Sequence, residues 1–173
     1  LKTRKITVAD TTIPVITLSG SSTITHEAAT AYSDAGATWT DTLDGNGTIS
    51  ATGSVNVNVP GVYTLTYSKS DVAGNAATQV TRTVTVEDTT IPVITLSGSS
   101  AVTHEAATAY SGAGATWTDT LDGNGTISAN GSVNVNVPGV YTLTYSKSDT
   151  AGNAATQITR TVTVEDTTVP VIT

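Results

Sequence analysis

The string Asp-Thr-Thr, then Ile or Val, then Pro-Val-Ile-Thr begins at Asp10, Asp88 and Asp166, and this spacing of 78 residues limits the fold more than any other feature. A period that long is one small domain, so 173 residues hold two complete units and not one continuous core. Aligning 11–88 on 89–166 leaves six differences: Thr23/Ala101, Ile24/Val102, Asp34/Gly112, Thr52/Asn130, Val72/Thr150 and Val80/Ile158. Neighbours this alike point to recent duplication inside an array. The ends agree, because Thr3 to Val8 matches Thr81 to Val86 and Thr167 to Thr173 opens a further copy. The expected organisation is the last strand of a preceding repeat over 1–10, repeats over 11–88 and 89–166, and the first strand of a following repeat over 167–173.

Val, Ile and Thr dominate each repeat while helix formers are scarce, which selects an all-β class. Period-two alternation bounded by Gly, Pro, Asn and Asp predicts strands over Pro14 to Leu18, Thr23 to Glu27, Gly36 to Asp41, Val62 to Ser70 and Ala77 to Val86, with one or two more between Thr48 and Asn58. Asp41 to Gly47 reads as a loop, Val59-Pro60-Gly61 as a turn and Asp71 to Asn75 as a hairpin turn. Six or seven short strands in such a repeat predict a β-sandwich. The link Glu87-Asp88-Thr89-Thr90 is too short for side-by-side packing, and Pro92 fixes the backbone just beyond it. Two sandwiches arranged end to end as a rod are therefore expected.

Seven Lys and Arg against fourteen Asp and Glu give a formal charge of −7, without the basic stripe that nucleic acid or an anionic membrane would require. No apolar run reaches the roughly 18 residues of a membrane-spanning helix, so no membrane insertion is expected. Without cysteine there is no disulfide framework and no thiolate chemistry. No Ser/His/Asp set, glycine-rich phosphate loop or carboxylate pair in a cleft is recognisable, and no enzymatic activity is expected.

Four segments in fixed order carry a resemblance: Asp-Thr-Thr-Ile-Pro-Val-Ile-Thr-Leu, Asp-Ala-Gly-Ala-Thr, Pro-Gly-Val-Tyr-Thr-Leu-Thr-Tyr and Ser-Asp-Val-Ala-Gly-Asn. The chain resembles the immunoglobulin-like tandem repeats of large bacterial surface proteins, akin to hyalin-repeat and bacterial Ig-like modules. The resemblance implies an extracellular, cell-surface array in an adhesin or stalk, without catalysis. Tyr63, just after Pro60-Gly61, suits a tyrosine corner whose hydroxyl pins the preceding loop.

Alternating strand directions bring the start of a repeat, the loop after Asp41 and the hairpin after Asp71 to one end. For the second repeat this end gathers Glu87, Asp88, Asp119, Asp122 and Asp149; for the first, Asp10, Asp41, Asp44 and Asp71. Calcium takes six to eight oxygen ligands and tolerates irregular loops, so an Asp-rich junction without His or Cys suits Ca2+ better than zinc. The competing reading makes these residues ordinary Asx turn formers, and the tight Asp-x-Asp spacing of stronger calcium motifs is missing. Asp34 is excluded from a repeated site because its counterpart is Gly112.

Trp39 and Trp117 share a face with Ala37 and Ala115 and read as core residues before they read as a sugar platform. Lys69 and Lys147 continue an inward parity, and Arg82 and Arg160 break the apolar inward face of the last strand; a snorkelling stem or a bulge is expected for them, with an amide cross-link from lysine to asparagine as the rarer alternative. His26 and His104 read as surface strand residues. Near-identical units serve length, so the expected function is a structural spacer whose partners are the neighbouring repeats of its own chain. The alternative is a module that binds a glycan or a host-surface protein.

Overall fold

Twelve strands form among residues 2–172, which the computed structural model describes. Backbone contacts divide the chain into two compact units, Leu1–Asp88 and Thr89–Thr173. Leu1 and Thr173, the outermost residues of the expected flanking strands, lie outside the described residues.

In unit 1 the strands are β1 (Val15–Leu18), β2 (Thr23–Glu27), β3 (Ala37–Asp41), β4 (Gly45–Ile49), β5 (Gly61–Tyr67) and β6 (Val80–Glu87). Unit 2 repeats them as β7 (Val93–Leu96), β8 (Ala101–Glu105), β9 (Ala115–Asp119), β10 (Gly123–Ile127), β11 (Gly139–Tyr145) and β12 (Ile158–Glu165). Each unit is two three-stranded sheets, ordered β1-β3-β4 and β2-β6-β5 in the first. The chain changes sheet at Ser19-Gly20-Ser21, where Gly20 takes a φ of 87° that a side chain would strain. Before this kink β1 pairs antiparallel with β3; after it β2 pairs parallel with β6.

Alternation fills the space between the sheets. Ala37, Leu65, Tyr67, Val84 and Val86 are buried in unit 1, and the equivalent Ala115, Leu143, Tyr145, Val162 and Val164 in unit 2. The Tyr63 hydroxyl donates to the Val59 carbonyl at 2.7 Å, and Tyr141 does the same to Val137 at 2.8 Å, so the corner expected from sequence forms in both repeats.

The segment expected to loop from Asp41 to Gly47 instead enters β4 at Gly45. Asn46 and Gly47 look like turn residues, but Gly47 stands opposite Trp39 in the ladder, and a Cβ there would lie 2.8 Å from the indole Nε1. The glycine admits a ring and does not make a turn. The expected strand or strands over Thr48 to Asn58 end at Ile49, with a single bridge from Thr52 to Thr66 beyond. The last strand begins at Val80, three residues later than expected, because the hairpin closes through a lone Ser70–Ala76 bridge. Residues 2–14 and 166–172 form no strand.

Candidate functional site

The acidic end of unit 1 is built by backbone amides. Asp41 Oδ1 accepts from the amides of Leu43 and Asp44 at 2.8 and 3.0 Å, which shapes the β3–β4 turn. Asp44 Oδ2 accepts from Val72 at 2.6 Å and so ties that turn to the β5–β6 hairpin. Within the hairpin Asp71 accepts from the Asn75 amide at 2.6 Å and from its side chain at 2.7 Å, and the same side chain reaches the Asp10 carbonyl at 3.1 Å. Burial works to raise the Asp71 pKa, yet the bonds from Asn75, Gly74 and Ala73 prevail and hold it below the usual carboxylate range. Asp10 Oδ1 is occupied by the amide and hydroxyl of Thr12.

The four unit 1 residues named from sequence are thus brought together, each bonded to nearby backbone as the turn-former reading requires. Two of their oxygens escape that reading: Asp10 Oδ2 and Asp41 Oδ2 are buried without a hydrogen-bond partner. A buried carboxylate oxygen left unbonded is costly, and a cation is the ordinary remedy. Among the described residues no group of three or more acidic or histidine side chains is already placed around a metal position.

Unit 2 repeats the design. Asp119 Oδ1 accepts from Leu121 and Asp122, both at 2.9 Å; Asp122 from Thr150 at 2.6 Å; and Asp149 from Gly152 and Asn153, both at 2.7 Å. Asp119 Oδ2 is again buried without a partner. Glu87 and Asp88 belong to unit 1, where Glu87 is exposed and Asp88 is 7% exposed.

The sandwich interior holds a second polar constellation, which sequence reasoning missed. Arg82 does not snorkel; it is 0% exposed and faces the core opposite Leu65. Its Nε donates to the Ser21 carbonyl at 2.9 Å and its Nη2 to the Ser19 carbonyl at 2.5 Å, so the guanidinium satisfies the peptide groups that the change of sheet leaves unpaired. Its Nη1 donates to the Tyr67 hydroxyl at 2.9 Å and forms an ion pair with Asp34. Asp34 also receives Tyr67 at 2.7 Å, the Gly36 amide at 3.0 Å and Tyr32 at 3.4 Å. Burial, followed by the bond to Asp34, pushes the Tyr67 hydroxyl up to about 12. The inward parity of Arg82 on the last strand was the signal, together with the rarity of differences between repeats, one of which falls on Asp34.

Trp39 is half-buried and not a core residue; the Lys69 ammonium sits 4.4 Å from its ring centroid, and Lys147 sits 4.5 Å from that of Trp117. The cation covers ring area that a stacking sugar would use. His26 is a clamp on strand β2: its Nε2 lies 3.1 Å from both the carbonyl and the hydroxyl of Thr30, and its ring meets Tyr32 edge-on at 5.1 Å.

A family model described as "Bacterial surface protein, Ig-like domain" matches residues 16–86 and again 94–164. A lipoprotein from Bacteroides thetaiotaomicron, known from a crystal structure, shares 27% identity over 46% of this chain with a TM-score of 0.37, and this chain spans 40% of that protein's length. A search of the curated proteins found no match.

Proposed function

The chain belongs to the family of bacterial surface-protein Ig-like domains, and we propose that its two repeats are spacer units in the stalk of a cell-surface adhesin, stiffened by calcium at the acidic end of each repeat. That family is one of surface domains and not of enzymes. The observation that carries the spacer reading is the sameness of the repeats. Only six positions differ, and the end loops that would read a ligand are shared almost entirely, whereas an array that recognises different partners varies those loops. The calcium part draws its support from the buried, unbonded oxygens of Asp10 and Asp41 and the equivalent oxygen of Asp119. An ion there would complete its ligand set from peptide carbonyls and water.

A glycan array and a host-protein pull-down with the two-repeat chain test the first part. A spacer gives no specific signal; micromolar binding abolished by Trp39→Ala with Trp117→Ala would establish the binding-module alternative instead. Titration of calcium into chelator-treated protein tests the second part. The expected result is saturable heat and a raised melting temperature, both reduced by Asp41→Asn. Identical melting curves in calcium and in chelator would return every one of these aspartates to turn formation alone.

A further inference from the structure

The two repeats differ at the one position that neutralises the buried arginine. In unit 1 the Asp34 carboxylate collects Arg82 Nη1, the Tyr67 hydroxyl, the Tyr32 hydroxyl and the Gly36 amide. In unit 2 the residue is Gly112, while each of those donors has its counterpart in Arg160, Tyr145, Tyr110 and Gly114. Arg160 is just as buried, at 1% exposed, and keeps its bonds to the Ser99 carbonyl at 2.9 Å and the Ser97 carbonyl at 2.6 Å. Its Nη1 retains only the Tyr145 hydroxyl, at 3.2 Å, and among the described residues that hydroxyl finds no acceptor for its own proton. Among the described residues no acidic side chain pairs with the cation.

In unit 2 a groove reaches the place that the Asp34 carboxylate fills in unit 1. A Cβ placed on Gly112 would lie 3.3 Å from the Tyr110 hydroxyl, so the missing side chain belongs beside that donor. Gly112 is exposed, and an open groove of about 320 Å³ runs from it past Tyr110 and Gly114 to Tyr145. The corresponding groove of unit 1 is lined by Asp34 and does not reach Tyr67.

We propose that unit 2 is a receptor for a carboxylate anion, which enters beside Gly112 and takes from Arg160, Tyr145, Tyr110 and the Gly114 amide the bonds that the Asp34 carboxylate takes in unit 1. A carboxylate offers two oxygens with several lone pairs to such a donor set, and its bonds to a guanidinium are of the strong, charge-assisted kind. The carboxylate is that of a free small acid or that of an acidic side chain on a second polypeptide; the chemistry read by the site is the same.

The test is a titration of ¹³C-formate into the intact two-repeat chain at pH 7, with ionic strength held constant by sodium chloride and binding followed by NMR line broadening. One saturable site per chain is expected, in the millimolar range set by the limited binding energy of a three-atom ligand. Gly112→Asp, which places the carboxylate on the chain itself, abolishes saturation, and Asp34→Gly creates a second site. Wild-type protein without saturation, or Gly112→Asp saturating like wild type, overturns the proposal, as does chloride displacing the labelled formate as strongly as unlabelled formate does. A blocked aspartate, N-acetyl-aspartate N-methylamide, separates the sources: binding at least tenfold tighter than formate assigns the site to a polypeptide side chain, and any smaller gain or a loss assigns it to a free acid anion.

Discussion

Replacing Asp34 by Asn removes one charge from the unit 1 interior while keeping an acceptor in the same place. The ion pair it breaks is asymmetric, with the arginine side chain 0% exposed and the aspartate 21% exposed. A fully buried pair costs roughly 3–5 kcal/mol to break by removing one partner, and a surface pair about 0–1 kcal/mol. With one partner at the rim, about 1–3 kcal/mol is expected. In a repeat of 78 residues this lowers the melting temperature of that repeat on the order of 10 °C. The pH dependence has a definite sign. Burial acts to raise the Asp34 pKa, but the bonds from Tyr67, Arg82 and the Gly36 amide outweigh it and the net displacement is downward. A depressed folded-state pKa contributes stability that is fully present above the ordinary aspartate value of about 3.9 and is lost as pH falls through the lower folded value. The gap between wild type and Asp34→Asn is therefore full at pH 7 and shrinks below about pH 4. Scanning calorimetry of both proteins through that range reads the gap directly, with the near-identical unit 2 as an internal reference. Coincident melting at pH 7, or a gap that persists unchanged into acid, would refute the account of Arg82 as a buried charge held by Asp34.

Gly47→Ala forces its methyl against the Trp39 indole and is expected to cost about 1–3 kcal/mol while shifting tryptophan fluorescence as the ring leaves Lys69; an unchanged emission spectrum would count against the packing described. Ala29 holds a left-handed φ of 55°, so Ala29→Gly is expected to stabilise unit 1 by up to about 1 kcal/mol in denaturant melts, where a loss of stability would contradict the strain. Tyr63→Phe removes the bond to the Val59 carbonyl and is expected to cost about 1 kcal/mol by the same assay, with Tyr141→Phe acting equally on unit 2.

The alternation of Val, Tyr and Leu with Thr was enough to place most of the strands, because in a sandwich of this size each inward position meets the other sheet and has no second option. Gly45 to Gly47 read as loop in the sequence for a physical reason: local turn chemistry and cross-strand packing both favour glycine, and only the partner strand, with Trp39, tells them apart. The acidic end was legible because turn aspartates cluster wherever loops do. Arg82 was not, since a lone arginine on an apolar strand face looks like an exception until the unpaired carbonyls of Ser19 and Ser21 are seen opposite it. Asp34 and Gly112 read in sequence as a mere mismatch between copies, although the mismatch marks where the copies differ chemically.

The parallel pairing of β2 with β6 joins the first part of each repeat to its last, Thr23 beside Thr83 through Glu27 beside Glu87. In a parallel pair the chain enters at one end of the ladder and leaves at the other, so tension applied through the two ends of a repeat runs along the strands and not across them. The interstrand bonds then bear load together, as a lap joint does, instead of opening one after another like a zipper. A repeat pulled by its two ends would meet the load with all the rungs of that ladder at once. The arginine that crosses from β6 to the Ser19-Gly20-Ser21 bend is bolted at the very place where that joint begins.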